Sequence, residues 1–257
     1  MNQQILEEAC RGSALVVHCR WVDEIDSTQE ELRRLAPAGP GMLVAAGTQT
    51  SGRGRRGRCW FSSAGGGLWF SLLFTPPRAA GEWPFMTALA ALALREALRR
   101  ETGLTCGLKW PNDLLLGGCK IAGILAETVA GSVALGVGVN LAQGREDFPE
   151  ELRDLAVSAR MASGRAPAPG VILRLFLEGF ERRSERFGRD GAAVFREELL
   201  KASVLLGRMV RLSDGRHGRV VDLGPGGELI LEAPPPAGHL LIASGEIESI
   251  EPPLRPR

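Results

Sequence analysis

Residues 105–140 read TCGLKWPNDLLLGGCKIAGILAETVAGSVALGVGVN. Three strand-like runs stand in this stretch, at 105–110, 119–128 and 133–140, joined by Gly-rich or Asn-Asp turns. They predict a meandering sheet. Working outward, MLVAAG at 42–47 is a short apolar strand, and GLWFSLLF at 67–74 is apolar almost throughout, which marks a buried strand. A polar, arginine-rich loop separates the two.

Helical signals flank these strands. Residues 24–36, EIDSTQEELRRLA, read as a turn into a helix, with Ser27 and Glu30 spaced as a capping box. Pro84 begins a long amphipathic helix that runs to about residue 101. Further helices are expected at about 148–160, 169–187 and 191–203, the second opened by Pro169. From residue 207 the pattern changes to short strands punctuated by SDGRHG, GPGG and APPPAG, the signature of a small all-β module. The predicted fold class is α+β, with domains at 1–205 and 206–257.

Composition limits the alternatives. The chain has 257 residues, 44% hydrophobic and 24% charged, enough for one well-packed domain and a small appendage. The longest apolar stretch, MTALAALALREAL, is interrupted by charge before the roughly 20 residues a bilayer requires. The N-terminus has acidic residues where a signal peptide would be basic, so a cytoplasmic protein with no membrane partner is expected. Five scattered cysteines form no CxxC pair, and His18, His217 and His239 show no ligand spacing, so no metal held by histidine or cysteine is expected. A net charge of +1 is not the balance of a dedicated nucleic-acid binder. All but three of the 31 basic residues are arginine, and the lysines are Lys109, Lys120 and Lys201. In such a chain a lysine marks a place where a compact ammonium is wanted instead of a planar fork.

Three segments carry chemistry. GRGRRGR at 52–58 puts Arg53, Arg55, Arg56 and Arg58 on a glycine-hinged loop, where four like charges repel unless an anion gathers them. Each charge-assisted bond to a phosphate contributes roughly 1.5 to 3 kcal/mol, so a few would order the loop; a solvated basic loop is the alternative. The letters also satisfy GxGxxG, but no helix follows directly, which rejects a dinucleotide fold. No GxxxxGK[ST] loop and no GxSxG elbow is present. In the second segment, at 109–127, Lys120 offers a point charge for a carboxylate and a phosphate. Asn112 and Asp113 there offer donors and acceptors for a nucleobase, ribose or Mg²⁺, with a surface hairpin as the alternative. GVGVN at 136–140 places glycines at alternate strand positions, which lets backbone approach a ligand.

In this order and spacing, GRGRRGRCW, KWPNDLLLGGCKIAGILAE and GVGVN resemble the motifs of biotin protein ligases over about residues 20–250. The resemblance implies a catalytic fold akin to class II aminoacyl-tRNA synthetases, with a mixed sheet backed by helices, and a C-terminal SH3-like barrel. It implies an enzyme that forms biotinyl-5′-AMP from biotin and ATP, with Mg²⁺, and transfers biotin to a lysine of a biotin carboxyl carrier domain of a biotin-dependent carboxylase. The biotin-contacting Ser-Thr-Asn of the family falls on Ser27, Thr28 and Gln29, where Gln29 departs from the usual asparagine. The ureido-side glutamine falls on Gln49, and the Arg-Gly-Arg of the loop on Arg53, Gly54 and Arg55. Gly123, Gly136 and Gly138 would line the biotin slot. Lys120 would hold biotin's carboxylate near the α-phosphate and, with Arg55 and Arg58, stabilise charge developing there. Trp60 would cover the adenine, and Asn112, Asp113 and Asn140 complete the nucleotide side, with Mg²⁺ near Asp113.

In larger members a DNA-binding winged helix precedes the core. Here only about twenty residues precede the matching segment, so a ligase without repressor activity is expected, as a monomer or homodimer. Lipoate ligases share the architecture but lack the arginine loop and the KWPND run. A nucleic-acid-binding module is weighed against by near-neutral charge and by strands without aromatic platforms.

Overall fold

The computed structural model describes residues 1–233 and 238–254. In chain order the elements are α1 (Gln3–Cys10), β1 (His18–Ile25), α2 (Thr28–Leu35), β2 (Met42–Gln49), β3 (Gly67–Phe74), α3 (Met86–Thr102) and β4 (Gly107–Lys109). There follow β5 (Asp113–Leu116), β6 (Cys119–Val129), β7 (Ser132–Asn140), α4 (Ala159–Ser163), α5 (Pro169–Asp190) and α6 (Arg196–Ala202). The last are β8 (Met209–Leu212), β9 (His217–Leu223), β10 (Leu229–Glu232), β11 (His239–Ile242) and β12 (Ile247–Glu251).

The first seven strands form one sheet in the order β1-β2-β3-β7-β6-β5-β4. Only β1 and β2 are parallel, and every other neighbour is antiparallel. The sheet is therefore mixed, as the resemblance implied, and its antiparallel part meanders as the turns predicted. Alternation assigns its two faces. Leu68, Phe70, Leu72 and Phe74 of β3, with Val133, Leu135, Val137 and Val139 of β7, pack against α3 and α5 in the main core. Phe70 and Phe176 meet edge to face, with ring centroids 5.2 Å apart. The opposite face of β3 and β7 carries Ser71, Ala134, Gly136, Gly138 and Asn140, and α2 covers only its end through Leu32, Val44, Leu73 and Ala134. Beyond that small cluster no helix covers the second face.

Several boundaries differ from expectation. The predicted helix at 148–160 is instead a 3-10 turn at Glu150–Leu152 and an extended segment, and only Ala159–Ser163 is α-helical. The cause is tertiary: Lys120 N donates to Leu155 O at 2.7 Å and Val157 N to Lys120 O at 3.0 Å, so the chain pairs with β6. Pro84 lies in a 3-10 turn at Ala80–Phe85, and the α-helix starts at Met86. Only half of the expected capping box forms: Ser27 Oγ accepts from Gln29 N at 3.2 Å, while Glu30 turns to Arg33 and Arg53. α1, β1 and β5 were not expected from the sequence; β1 is an edge strand with mostly exposed or half-buried residues and lacks an apolar signal.

The last five strands form an antiparallel sheet in the order β11-β10-β9-β8-β12, its interior filled by Val210, Leu212, Val220, Leu229, Leu231 and Ile242. The expected turn at 234–237 lies outside the described residues. This sheet is tied back to the first unit where Trp110 Nε1 donates to Gly227 O at 3.0 Å and where Arg196 pairs with Asp222. No described helix is long and apolar enough to cross a membrane.

Candidate active site

A cavity of about 420 Å³ opens on the uncovered sheet face. Its floor exists because β6 and β7 carry glycine where other strands carry side chains: Gly123 pairs with Gly138, and Leu125 with Gly136, beside Ser71 of β3. The space these glycines leave is filled. A Cβ on Gly138 would stand 2.5 Å from the Trp60 indole nitrogen, one on Gly123 2.9 Å from the same ring, and one on Gly136 2.7 Å from Gln29 Oε1.

One end of the cavity is a buried polar frame built at the start of α2. Gln49 Oε1 accepts from Thr28 N at 2.9 Å and from Thr28 Oγ1 at 3.1 Å, and Gln49 Nε2 donates to Ser62 Oγ at 2.8 Å. Thr28 Oγ1 also lies 2.8 Å from Ser71 Oγ. Gln29 Nε2 donates to Glu127 Oε2 at 3.1 Å and to Ala134 O at 3.0 Å. Gln29 Oε1, by contrast, is buried with no hydrogen-bond partner among the described residues. Satisfied groups of this kind hold their rotamers, whereas a buried lone acceptor costs free energy until a donor reaches it.

The arginine loop folds over the cavity as a narrow hairpin. Trp60 N donates to Gly52 O at 2.8 Å and Gly54 N to Arg58 O at 2.7 Å. At the tip Arg56 is left-handed, φ 56°, followed by Gly57 at φ 73°, a strained conformation for arginine. The four arginines have different partners: Arg53 pairs with Glu30, Arg58 with Glu246 at 2.7 Å and Arg56 with Glu246 at 3.5 Å. Arg55 has no ion pair among the described residues and is half-buried. Burial, followed by repulsion from Arg56, lowers its affinity for a proton.

At the other end Lys120 Nζ lies 2.7 Å from Asp113 Oδ1 and 5.1 Å from the centroid of the Trp60 ring. Its backbone is clamped on both sides by Leu155 and Val157, and Asn140 Nδ2 reaches Lys120 O at 3.4 Å. Asn112 pins β5 to β6 by donating to Ile124 O at 2.9 Å. Charge is therefore delivered by flexible ammonium and guanidinium groups on a frame fixed by backbone bonds.

All the residues assigned a role from the resemblance line this one cavity, namely Ser27, Thr28, Gln29, Gln49, Arg53, Gly54, Arg55, Arg58, Trp60, Asn112, Asp113, Lys120, Gly123, Gly136, Gly138 and Asn140, while Arg56 of the loop does not. Trp60, expected over an adenine, rests here on Gly123 and Gly138, the glycines expected to face biotin. Ser71, Glu127, Glu246 and the wall formed by Phe148, Leu152 and Leu155 join the site without having been expected there from the sequence. Ser71 was legible as a lone hydroxyl inside an apolar strand; Glu246 had no local signal.

Residues 21–143 match the model of the biotin/lipoate A/B protein ligase family. The chain is 36% identical over 243 residues to the bifunctional ligase/repressor BirA of Bacillus spizizenii, covering 90% of this chain and 74% of that protein. It is 36% identical over 239 residues to the biotin–[acetyl-CoA-carboxylase] ligase of Paracoccus denitrificans, covering 86% and 96%. Its fold is similar to a biotin protein ligase from Aquifex aeolicus solved in complex with biotin and ATP, at TM-score 0.80 and 29% identity, covering 91% and 98%.

Proposed function

This chain belongs to the biotin protein ligases of the biotin/lipoate A/B protein ligase family, and from that premise we propose how its cavity performs the reaction. The enzyme is an ATP-dependent ligase that activates biotin as biotinyl-5′-AMP and passes it to protein. The observation that carries our assignment of roles is the convergence of Lys120, the arginine loop and the glycine floor on one cavity.

In this reading biotin's ring system lies on Gly123, Gly136 and Gly138 once the Trp60 indole has moved off them. The unpartnered Gln29 Oε1 accepts from a ureido N–H, so glutamine serves where the family has asparagine. Ser27, Thr28 and Gln49 frame the same end, and Arg53 with Gly54 closes it. The carboxylate of biotin extends to Lys120, which exchanges its contact with Asp113 for the substrate. Holding carboxylate and α-phosphate in line supplies several kcal/mol, up to roughly 7–11 in ideal intramolecular cases. Carboxylate oxygen attacks the α-phosphorus, the bond to the β-phosphate breaks, and the electron pair leaves on pyrophosphate. Lys120, Arg55 and Arg58 stabilise charge on the phosphate oxygens. The adenine is covered by Trp60, and Asn112 and Asn140 complete the nucleotide side.

The described residues contain no cluster of three or more metal-ligating side chains. Magnesium bound to nucleotide needs only one or two carboxylates, and Asp113 with Asn112 Oδ1 fits that donor set. When bound there with ATP, Mg²⁺ would offset phosphate charge.

In the second half-reaction an acceptor lysine attacks the carbonyl of the mixed anhydride and AMP leaves. We assign the acceptor to a biotin carboxyl carrier domain. The loop hairpin over the cavity supports shielding of the adenylate from water. We also read the helix-backed sheet, 1–205, as class II synthetase-like and 206–257 as an SH3-like module. Incubation with ATP, Mg²⁺ and biotin, followed by mass spectrometry, should give biotinyl-adenylate and then a carrier modified at one lysine. Preferential adenylation of lipoate in a parallel reaction would overturn the reading.

A further inference from the structure

Glu127, the last residue of the run at 109–127, lies opposite Ala134 in the β6–β7 ladder. By alternation Glu127, Ala134 and Gly136 share the sheet face on which α2 lies. Gln29, 3% exposed, reaches from α2 across these positions. Its Nε2 donates to Glu127 Oε2 at 3.1 Å and to Ala134 O at 3.0 Å, which uses both amide hydrogens. Its Oε1 has no partner among the described residues and lies where a Cβ on Gly136 would stand 2.7 Å away, at the floor of the cavity.

A half-turn about its last bond leaves the shape of a glutamine amide almost unchanged but presents a donor to the ligand where there was an acceptor. Here the half-turn would set Oε1 against both the Ala134 carbonyl oxygen and the Glu127 carboxylate. A carboxylate only accepts, so Glu127 rejects that state more strongly than a neutral side chain able to turn and donate. The carboxylate is itself held: Arg33, four residues after Gln29 on α2, meets Glu127 Oε1 at 2.9 Å through Nη2 and Glu30 Oε1 at 3.1 Å through Nη1. One oxygen of Glu127 thus serves the arginine and the other the amide.

We infer that Glu127 is a positioning residue for biotin recognition, fixing the Gln29 amide so that its acceptor faces a ureido N–H. The inference rests on the ligase reading given above. Glu127 acts through Gln29 and is not part of the cavity lining. Because the acceptor is oriented before binding, a ligand with an N–H at this point is favoured over one without, such as the dithiolane ring of lipoate. The length of glutamine matters here, since an asparagine at 29 would fall short of the carboxylate.

The test uses the full chain with Glu127→Ala and Glu127→Met, two variants that remove the acceptor differently, and Glu127→Gln, which can still accept from Nε2. Each is made in the parent and in a Gln29→Asn background, and adenylate formation is measured against biotin and against ATP. Loss of the acceptor is expected to raise the KM for biotin about five- to tenfold, with kcat at saturating biotin and the KM for ATP within about twofold. Glu127→Gln should recover part of the loss. In the Gln29→Asn background the same changes at 127 should alter the KM for biotin by less than about twofold, because the shortened amide does not reach the carboxylate. An unchanged KM for biotin in both Glu127→Ala and Glu127→Met overturns the assignment. So does a loss of equal size in the two backgrounds, or one shared equally by biotin and ATP, since either would make Glu127 a structural residue. Failure of the unsubstituted enzyme to form biotinyl-adenylate would instead overturn the ligase reading itself.

Discussion

Arg58 Nη1 lies 2.7 Å from Glu246 Oε1, an ion pair that ties the arginine loop to the residue just before β12. The C-terminal sheet thus holds, through one carboxylate, the guanidinium that we assign to the nucleotide phosphates. Arg56 shares the same carboxylate and adds a 3.3 Å contact to Ser213 Oγ. ATP must compete with Glu246 for these groups.

Glu246→Gln is expected to lower the KM for ATP about two- to fivefold, because exposed pairs of this type contribute roughly 0.2–1 kcal/mol. Without ligands the loop should be cut faster by trypsin between residues 53 and 58, and biotin plus ATP should restore protection. Equal cleavage of variant and parent, with an unchanged KM, would separate the loop from the C-terminal sheet in function.

Lys120→Arg keeps the charge but replaces a compact ammonium by a fork that cannot stand both at Asp113 and 5.1 Å from the Trp60 centroid. Adenylate formation, followed by pyrophosphate release, should fall by about 10²–10³. Activity like that of the parent would remove Lys120 from the role given to it.

Gly138→Ala introduces a methyl group 2.5 Å from the Trp60 indole nitrogen, closer than van der Waals contact allows. The ring must leave the sheet, and the methyl remains in the proposed biotin slot. Tryptophan emission should shift and biotin affinity should drop by about tenfold or more, since sub-ångström misplacement is amplified in such sites. Unaltered emission and affinity would mean that the glycine floor is not a contact surface.

Away from the site, Glu96 on α3 meets Arg183 at 2.7 Å and Arg182 at 2.8 Å on α5. Burial raises the Glu96 carboxyl, but hydrogen bonds and charge from Arg183 and Arg182 outweigh it and hold it below the usual range. Its stabilisation is therefore fully present above the unfolded-state value of about 4.3 and is lost as pH falls through the lower folded value. Glu96→Gln should cost about 1–3 kcal/mol at neutral pH, reduced by its 23% exposure, and should flatten the loss of stability at acid pH. Chemical denaturation at pH 7 and pH 3 checks both; equal loss at the two pH values would remove the charge from the explanation.

Much of the architecture was legible because it is written locally. The apolar run at 67–74 is β3 residue for residue, Pro169 opens α5, and the turns after residue 207 announce a β module. The helix expected at 148–160 failed because Leu155 and Val157 hydrogen-bond to Lys120, a partner 35 and 37 residues away that no local period encodes. Edge strand β1 was missed for a related reason, since its half-exposed residues carry no alternation strong enough to read.

The site divides in the same way. The sequence by itself determined the chemical inventory: a cluster of arginines on a glycine-hinged loop, two lysines around an Asn-Asp pair, and alternate glycines at 136 and 138. Alternation then put those glycines on the face opposite Val137 and Val139. Only the tertiary structure decided the partners. It placed Glu246 on Arg58, left the Arg55 side chain without an ion pair among the described residues, turned Gln29 so that one amide oxygen is buried alone, and laid Trp60 on the glycine floor. Secondary structure follows from the side chains next to one another in the chain, whereas charge compensation and desolvation depend on distances between segments, which exist only once the sheets have set them.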